Sequence, residues 1–287
     1  MSGSGADMSS GNPGNKGPSL EGMPRYLYKF RSVDEKSIRF TRRIITESEL
    51  FFSCPLDLND PFEGYFAFDR VDFGAAVPAL AAQFTQATGE AHRQEALQQH
   101  LPSILESYRL KTREDYLRNV GIVSLTARND STLMWAHYAD SHRGLCFEFD
   151  LTVGAHWGVA IVPVIYSEQC LVGKVSDMGS LSEVMTASVY HKSADWAYEK
   201  EWRFIHFKGC GARKFPPRML SGVIFGSQVS SDIGQEIFNE LKAYPHAVNI
   251  GHAGRDPFSY STRVVYVGDS HSGVAKDVSE ARPWITR

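Results

Sequence analysis

Two carboxylates one residue apart, Glu199 and Glu201, stand in the segment Tyr198-Glu199-Lys200-Glu201-Trp202-Arg203. On a strand, residues two apart share a face, so both acids would point the same way. Like charges there raise each other's pKa and repel, which needs a reason. Such a pair suits chemistry at an oxocarbenium-like sugar carbon. One carboxylate holds a ribose hydroxyl and stabilises the developing cation, while the other orients or deprotonates the acceptor. The same spacing also describes a solvated strand edge neutralised by Lys200 and Arg203, and spacing alone favours that reading. The flanking Trp196 and Trp202 point instead to a packed site.

Other residues could join them. Arg31 follows the aromatic-polar alternation Tyr26-Leu27-Tyr28-Lys29-Phe30, and a guanidinium there could hold a diphosphate bidentately. Ser53 ends a short apolar run, where a hydroxyl could support an active-site carboxylate. Asn59-Asp60-Pro61-Phe62 is an Asx-type turn stiffened by proline, able to offer an amide and a carboxylate to a ligand. Trp135, His137, Tyr138, His142 and Arg143 crowd hydrogen-bonding side chains into a short stretch. His137 and His142 are five apart with no evident third ligand, which is poor metal geometry. Taken singly, each of these also fits a surface arginine, a tight turn or an aromatic core cluster. Gly-rich phosphate loops, Gly-x-Ser-x-Gly elbows and His-Glu-x-x-His motifs are absent from the sequence.

These residues must be positioned by elements that the pattern outlines. Residues 26–31 alternate as a strand, and 33–47 read as a helix with Ser32 as N-cap and Glu35 three residues on. Leu50 to Ser53 form a strand ending at Pro55. Residues 74–118 carry helical spacing for two or three helices, inside a 66–119 insertion that covers the sheet. Strands follow at 121–126, 144–150 and 159–166, with a short helix from 131 capped by Asp130 or Ser131. A helix is expected over 181–198, then strands at 202–207 and 223–226, a helix at 231–244 and a last strand at 263–267. Helices and strands do not alternate regularly, which argues for an α+β fold over a doubly wound parallel sheet.

Composition bounds the rest. The 287 residues are 43% hydrophobic and 22% charged, as in a globular protein with a sizeable core. A net charge of −3 gives no bulk attraction to nucleic acid or anionic membrane. No run approaches the roughly 18 apolar residues of a membrane-spanning helix. Four scattered cysteines, with Cys54 and Cys146 in apolar runs, suggest free thiols in a reducing compartment. Residues 1–22 are rich in Gly, Ser, Asn and Pro with few apolar residues, read as a disordered leader ahead of one domain over 23–287. That leader is either a simple tail or an unfolded export signal.

In order along the chain stand YKFR, FFSCPLDLNDPFEG, VSLTARNDSTLMWAHYADSHRGLCFEFD, VIY, WAYEKEWRFI and VIFG. This run, over about residues 26–267, resembles a widespread bacterial family of undefined function that is itself similar to ADP-ribosyltransferases. The resemblance implies a mixed or antiparallel sheet core with a helical insertion, and transfer of ADP-ribose from NAD to a protein side chain. It assigns Glu201 to the ribose 2′-hydroxyl and Glu199 to the acceptor. Arg31 would contact the diphosphate. Tyr28, Ser53, Asn59 and Asp60 would shape the nicotinamide-ribose pocket, and His137, Tyr138 and Arg143 would line the cofactor or acceptor side. The Ser-Thr-Ser triplet usual in such enzymes is missing, since Cys54 and Pro55 follow Ser53. With its leader, the chain looks like a monomeric effector toxin made in a bacterial cytoplasm and injected into host cytosol. There its partner would be a host protein, with a threonine of ubiquitin the nearest parallel. The open alternatives are a nucleosidase or nuclease-like toxin on the same carboxylates, and a non-enzymatic module of a defence system.

Overall fold

A computed structural model describes residues 22–88, 94–153, 157–176 and 178–274. The expected leader, apart from Gly22, lies outside the described residues. The fold is α+β, organised on a nine-stranded mixed sheet. From one edge to the other its strands are β15 (Gly273–Val274), β14 (Thr262–Asp269), β13 (Asn249–Arg255), β12 (Leu220–Phe225), β5 (Leu145–Asp150), β1 (Tyr26–Arg31), β4 (Gly121–Thr126), β10 (Glu201–His206) and β6 (Ala160–Pro163). The β12–β13 pair is parallel and the other neighbours are antiparallel.

Both faces of the central strands are covered, which is why all six residues of Leu-Cys-Phe-Glu-Phe-Asp in β5 are buried. On one face, Leu27, Val123, Leu125, Phe147, Phe149, Trp202 and Phe204 build the main core. Two helices add to it: α1 (Ile38–Thr46) through Ile44 and Ile45, and α6 (Ser231–Lys242) through Ile237 and Leu241. The opposite face carries a smaller cluster in which Phe30, Cys146 and Ile224 meet Met134 and Trp135 of α4 (Thr132–Tyr138). Burying a side chain of this size stabilises by about 1.5–3 kcal/mol, so the face with more such side chains anchors the sheet.

Two helices span much of the 66–119 segment, α2 (Arg70–Thr88) and α3 (Gln94–Arg118). Arginines of α3 tie it to the preceding loop: Arg109 Nη1 donates to the Phe66 carbonyl at 2.6 Å, and Arg113 Nε to that of Gly64 at 2.8 Å. Gly64 has φ 64°, and a Cβ there would strike Leu117 of α3. That loop carries Glu63, so the insertion holds a piece of the site described below.

Several local expectations are corrected. The first helix starts after Ser37, and Ser32 does not cap it. Instead Asp34 Oδ1 accepts from the amides of Lys36 and Ser37 at 2.9 and 3.0 Å, delaying the helix by one turn. The expected helix over 181–198 divides into α5 (Met178–Ser188), a strand His191–Ser193 and a 3-10 turn Ala194–Glu199. Ser193 accepts from the Asp195 amide and so starts that turn locally. Strand 159–166 breaks at Val164, whose amide donates to the Glu201 carbonyl. β13 (Asn-Ile-Gly-His-Ala-Gly-Arg) was not expected, because it lacks alternation and holds two glycines, and pairing with both neighbours makes it a strand. By contrast, Ser131 caps α4 as expected, accepting from the Met134 amide, and Cys54 and Cys146 are buried free thiols. No helix among the described residues is long and apolar enough to cross a membrane.

Candidate functional site

The site lies where β1 and β4 part. The two strands share the single register pair Tyr28–Thr126, while β4 and β10 pair along their whole length. Lys29 reaches across the opening, its Nζ donating to the Ser124 carbonyl at 2.8 Å. The opening enlarges into a cleft of about 130 Å³, walled by Tyr28, Lys29, Asn59, Tyr138, Glu199 and Glu201 among others.

Glu199 and Glu201 do converge, though not as neighbours on one strand. Glu199 ends the 3-10 turn, Lys200 takes a left-handed backbone with φ 47°, and β10 begins at Glu201. What brings the carboxylates together is Lys192. Its Nζ donates to Glu199 Oε2 at 2.6 Å and to Glu201 Oε2 at 3.1 Å, and lies 4.7 Å from the centre of the Trp196 ring. Tyr138 Oη donates to Glu199 Oε1 at 2.5 Å. The Glu201 amide donates to the Tyr166 hydroxyl oxygen at 2.8 Å, which fixes the start of the strand.

Beneath Glu201 sits Arg203, fully buried on the same face because it is two residues on. Its Nε donates to Glu201 Oε1 at 2.9 Å, its Nη2 to Glu63 Oε2 at 2.9 Å, and its Nη1 to the Val189 carbonyl at 2.6 Å. Three carboxylates (Glu63, Glu199, Glu201) thus face three cations (Lys29, Lys192, Arg203); ion pairs with Lys192 and Arg203 offset the burial of the carboxylates, whereas Lys29 forms no ion pair among the described residues and donates only to the Ser124 carbonyl.

Burial would raise the Glu201 carboxyl, but the adjacent Arg203 and Lys192 charges outweigh it, and its pKa falls below the usual range. Glu201 is therefore a permanent anion, fit to accept a hydrogen bond or face a developing cation and unfit to be a general acid. At Glu63 burial wins over Arg203, and the carboxyl is raised. Lys29 is pushed down to about 8, first by burial and then by the Arg31 charge. Burial raises the Tyr138 phenol, and its hydrogen bond to Glu199 raises it further, so Tyr138 stays a donor at any working pH.

Of the residues singled out in the sequence, Glu199, Glu201, Tyr28, Asn59 and Tyr138 line this cleft. Arg31 does not. It lies with Phe40 and Arg43 around a separate small recess on the far side of Lys29. Ser53 is engaged by its backbone in a bridge to Ile122, and the serine in the cleft beside Glu201 is Ser124. Asp60 is buried and caps its own turn through the Phe62 amide at 2.9 Å. His137 is exposed, packing beside Tyr138 and Tyr198, and Arg143 pairs with Asp140 at the surface. The reading from sequence missed Lys29, Glu63 and Lys192. The alternation of β1 hinted at the first, but nothing local marks the other two, which reach the site from a loop and an edge strand.

No protein-family model, curated protein or solved structure matches the chain.

Proposed function

We propose that the cleft is the active centre of an enzyme that cleaves the nicotinamide–ribose bond of NAD and passes the ADP-ribose to a protein side chain. The observation that carries this reading is the pair Glu199 and Glu201 bridged by Lys192 at the wall of a cleft. One of the two is a permanent anion, and the other is hydrogen-bonded to a phenol.

In this reading Glu201 accepts from the ribose 2′-hydroxyl and opposes the positive charge that grows on the sugar carbon as nicotinamide leaves. Its ion pairs with Arg203 and Lys192 hold the carboxylate in one orientation, so little reorganisation is needed during the step. Glu199, held by Tyr138, faces the acceptor and takes its proton as the new bond to the sugar carbon forms. Asn59 and the Tyr28 ring offer an amide and an aromatic face to the nicotinamide. Lys29, rather than Arg31, is the β1 cation open to the substrate's phosphate side. The enclosed volume is below the several hundred Å³ typical of a full small-molecule site. It suits the nicotinamide-ribose end alone, leaving the adenosine end outside.

The small enclosure also favours a second reading, in which water is the acceptor and free ADP-ribose the product. Incubation with radiolabelled NAD and a cell lysate separates the two. Label on a protein supports transfer, and free ADP-ribose without label on protein supports hydrolysis. If NAD persists, and Glu201→Gln behaves like the unaltered chain, the enzymatic reading fails. Ubiquitin as acceptor is tested in the same assay, by mass spectrometry of the labelled band.

A further inference from the structure

A larger depression lies elsewhere on the molecule. The β13–β14 hairpin, together with Thr132, His142, Ser227 and Gln228, borders a half-open groove of about 990 Å³. Groove and cleft share no lining residue, although α4 walls both, with Thr132 on one and Met134 and Tyr138 on the other. The volume reaches the upper end of the range for small-molecule and cofactor sites, about 300–1,000 Å³.

The chemistry of the groove is specific. Arg255 is exposed and its side chain forms no hydrogen bond or ion pair among the described residues, which leaves its planar fork of donors available. The one carboxylate nearby, Asp256, is occupied: its Oδ1 accepts from the Phe258 amide at 2.9 Å, and its own amide closes the loop onto the Ser261 carbonyl at 3.0 Å. At the tip, Phe258 is 96% and Tyr260 110% exposed, with no ring contact to any described residue. Rings this exposed are costly to leave bare unless something covers them. The hairpin beneath is held by seven register pairs from Asn249–Asp269 to Arg255–Thr262, with one register shift between Ile250 and Gly251 and five unbroken pairs next to the loop, so the rings are presented on a firm support. On the floor, His142 stacks on Trp135 at 6.4 Å, and burial followed by the Arg255 charge lowers its pKa, leaving a neutral ring that can donate or accept.

A free guanidinium matches a phosphate, exposed rings match an aromatic base, and neutral imidazole, amide and hydroxyl groups match the polar edge of a base and its sugar. A single arginine on a chain of net charge −3 suits one phosphorylated unit and not a nucleic-acid strand, whose backbone calls for several cations. We propose that this groove binds a nucleotide, with its phosphate on Arg255 and its base on Phe258 or Tyr260, independently of the Glu199–Glu201 cleft.

Equilibrium dialysis of the full chain with radiolabelled ADP tests this, with adenosine and inorganic phosphate as competitors. ADP should bind the unaltered chain and Glu201→Gln equally, with a Kd at or below about 1 mM. Arg255→Glu should weaken binding at least tenfold, and Phe258→Ala with Tyr260→Ala about tenfold or more. Arg255, Phe258 and Tyr260 are at the surface and Glu201 is buried, and far-ultraviolet circular dichroism verifies that each variant is folded. Adenosine and phosphate should each compete only weakly. The proposal is overturned if ADP does not bind, if binding survives Arg255→Glu, or if it is lost in Glu201→Gln, which would place the nucleotide in the cleft. Phosphate competing as well as ADP would remove the role of the rings and overturn it too.

Discussion

Glu201 and Glu148 sit on the same face of the same sheet, in one transverse row, and are buried in opposite ways. The row runs Glu201, Thr126, Tyr28, Glu148 and Gly222 across β10, β4, β1, β5 and β12. At a strand spacing of about 4.8 Å, the two acids are roughly 14 Å apart. Glu201 is matched by two cations, Lys192 and Arg203. Glu148 has no cation within ion-pair distance among the described residues, and hydroxyls satisfy it instead: Ser221 Oγ donates to Oε1 at 2.8 Å and Tyr266 Oη to Oε2. Gly222 makes room for it, since a Cβ there would lie 3.1 Å from Glu148 Oε1. Charge pairing binds distant segments firmly and fails badly when one partner goes, whereas hydroxyls spread the load over weaker bonds. The first arrangement holds a fixed anion at an open cleft, and the second fills a closed seam.

The sharpest way to break the contrast is Arg203→Met. It strands Glu63 and Glu201 without their main cation, and urea unfolding should show a loss of about 3–5 kcal/mol. Next is Glu201→Gln. Under the proposed reaction NAD consumption should fall by about 10²–10³-fold, while a Glu148→Gln protein stays within a few-fold of the unaltered rate. Glu148→Leu tests the hydroxyl side, because it removes the carboxylate that accepts from Ser221 and Tyr266 and leaves Ser221 only the backbone carbonyl of residue 148 at 3.2 Å. Chemical denaturation should report a cost of about 1–3 kcal/mol, smaller than that of Arg203→Met.

Lys29 gives the Glu201 side of the sheet a pH signature. Its folded value of about 8 lies below the ordinary lysine value of 10.5. Between those values the unfolded chain holds more protons, so stability rises with pH there, and the burden of a buried ammonium is present below pH 8. The gain across the window should be on the order of 2 kcal/mol, and Lys29→Met should abolish it while stabilising the protein at pH 7. A Lys29→Met protein with the same pH slope as its parent would show that Lys29 is not the group responsible. The smallest effect belongs to Gly222→Ala, about 1 kcal/mol, as Glu148 shifts to admit a methyl group.

Much of the scaffold was legible along the chain. Period-2 alternation marked β1, and apolar runs marked β4 and β5, because a strand buried on both faces has little choice of residue. The spacing of Glu199 and Glu201 correctly put both at one place, but for a reason the sequence did not show. The pair is joined through a left-handed Lys200 and a shared lysine, not through strand alternation.

The sequence by itself determined which segments could be strands and helices, that Ser131 would cap α4, and that the acidic segment would not be a free surface once two tryptophans flanked it. These follow from local rules: backbone period, capping and the cost of exposing large rings. Only the tertiary structure decided which charges meet. Arg203 lies 140 residues from Glu63, and Lys192 lies 7 and 9 residues from Glu199 and Glu201, and a charge pair in a low-dielectric interior depends on distance in space. The parting of β1 from β4 likewise belongs to the assembled sheet, and it is what set Lys29 in the cleft and left Arg31 behind it.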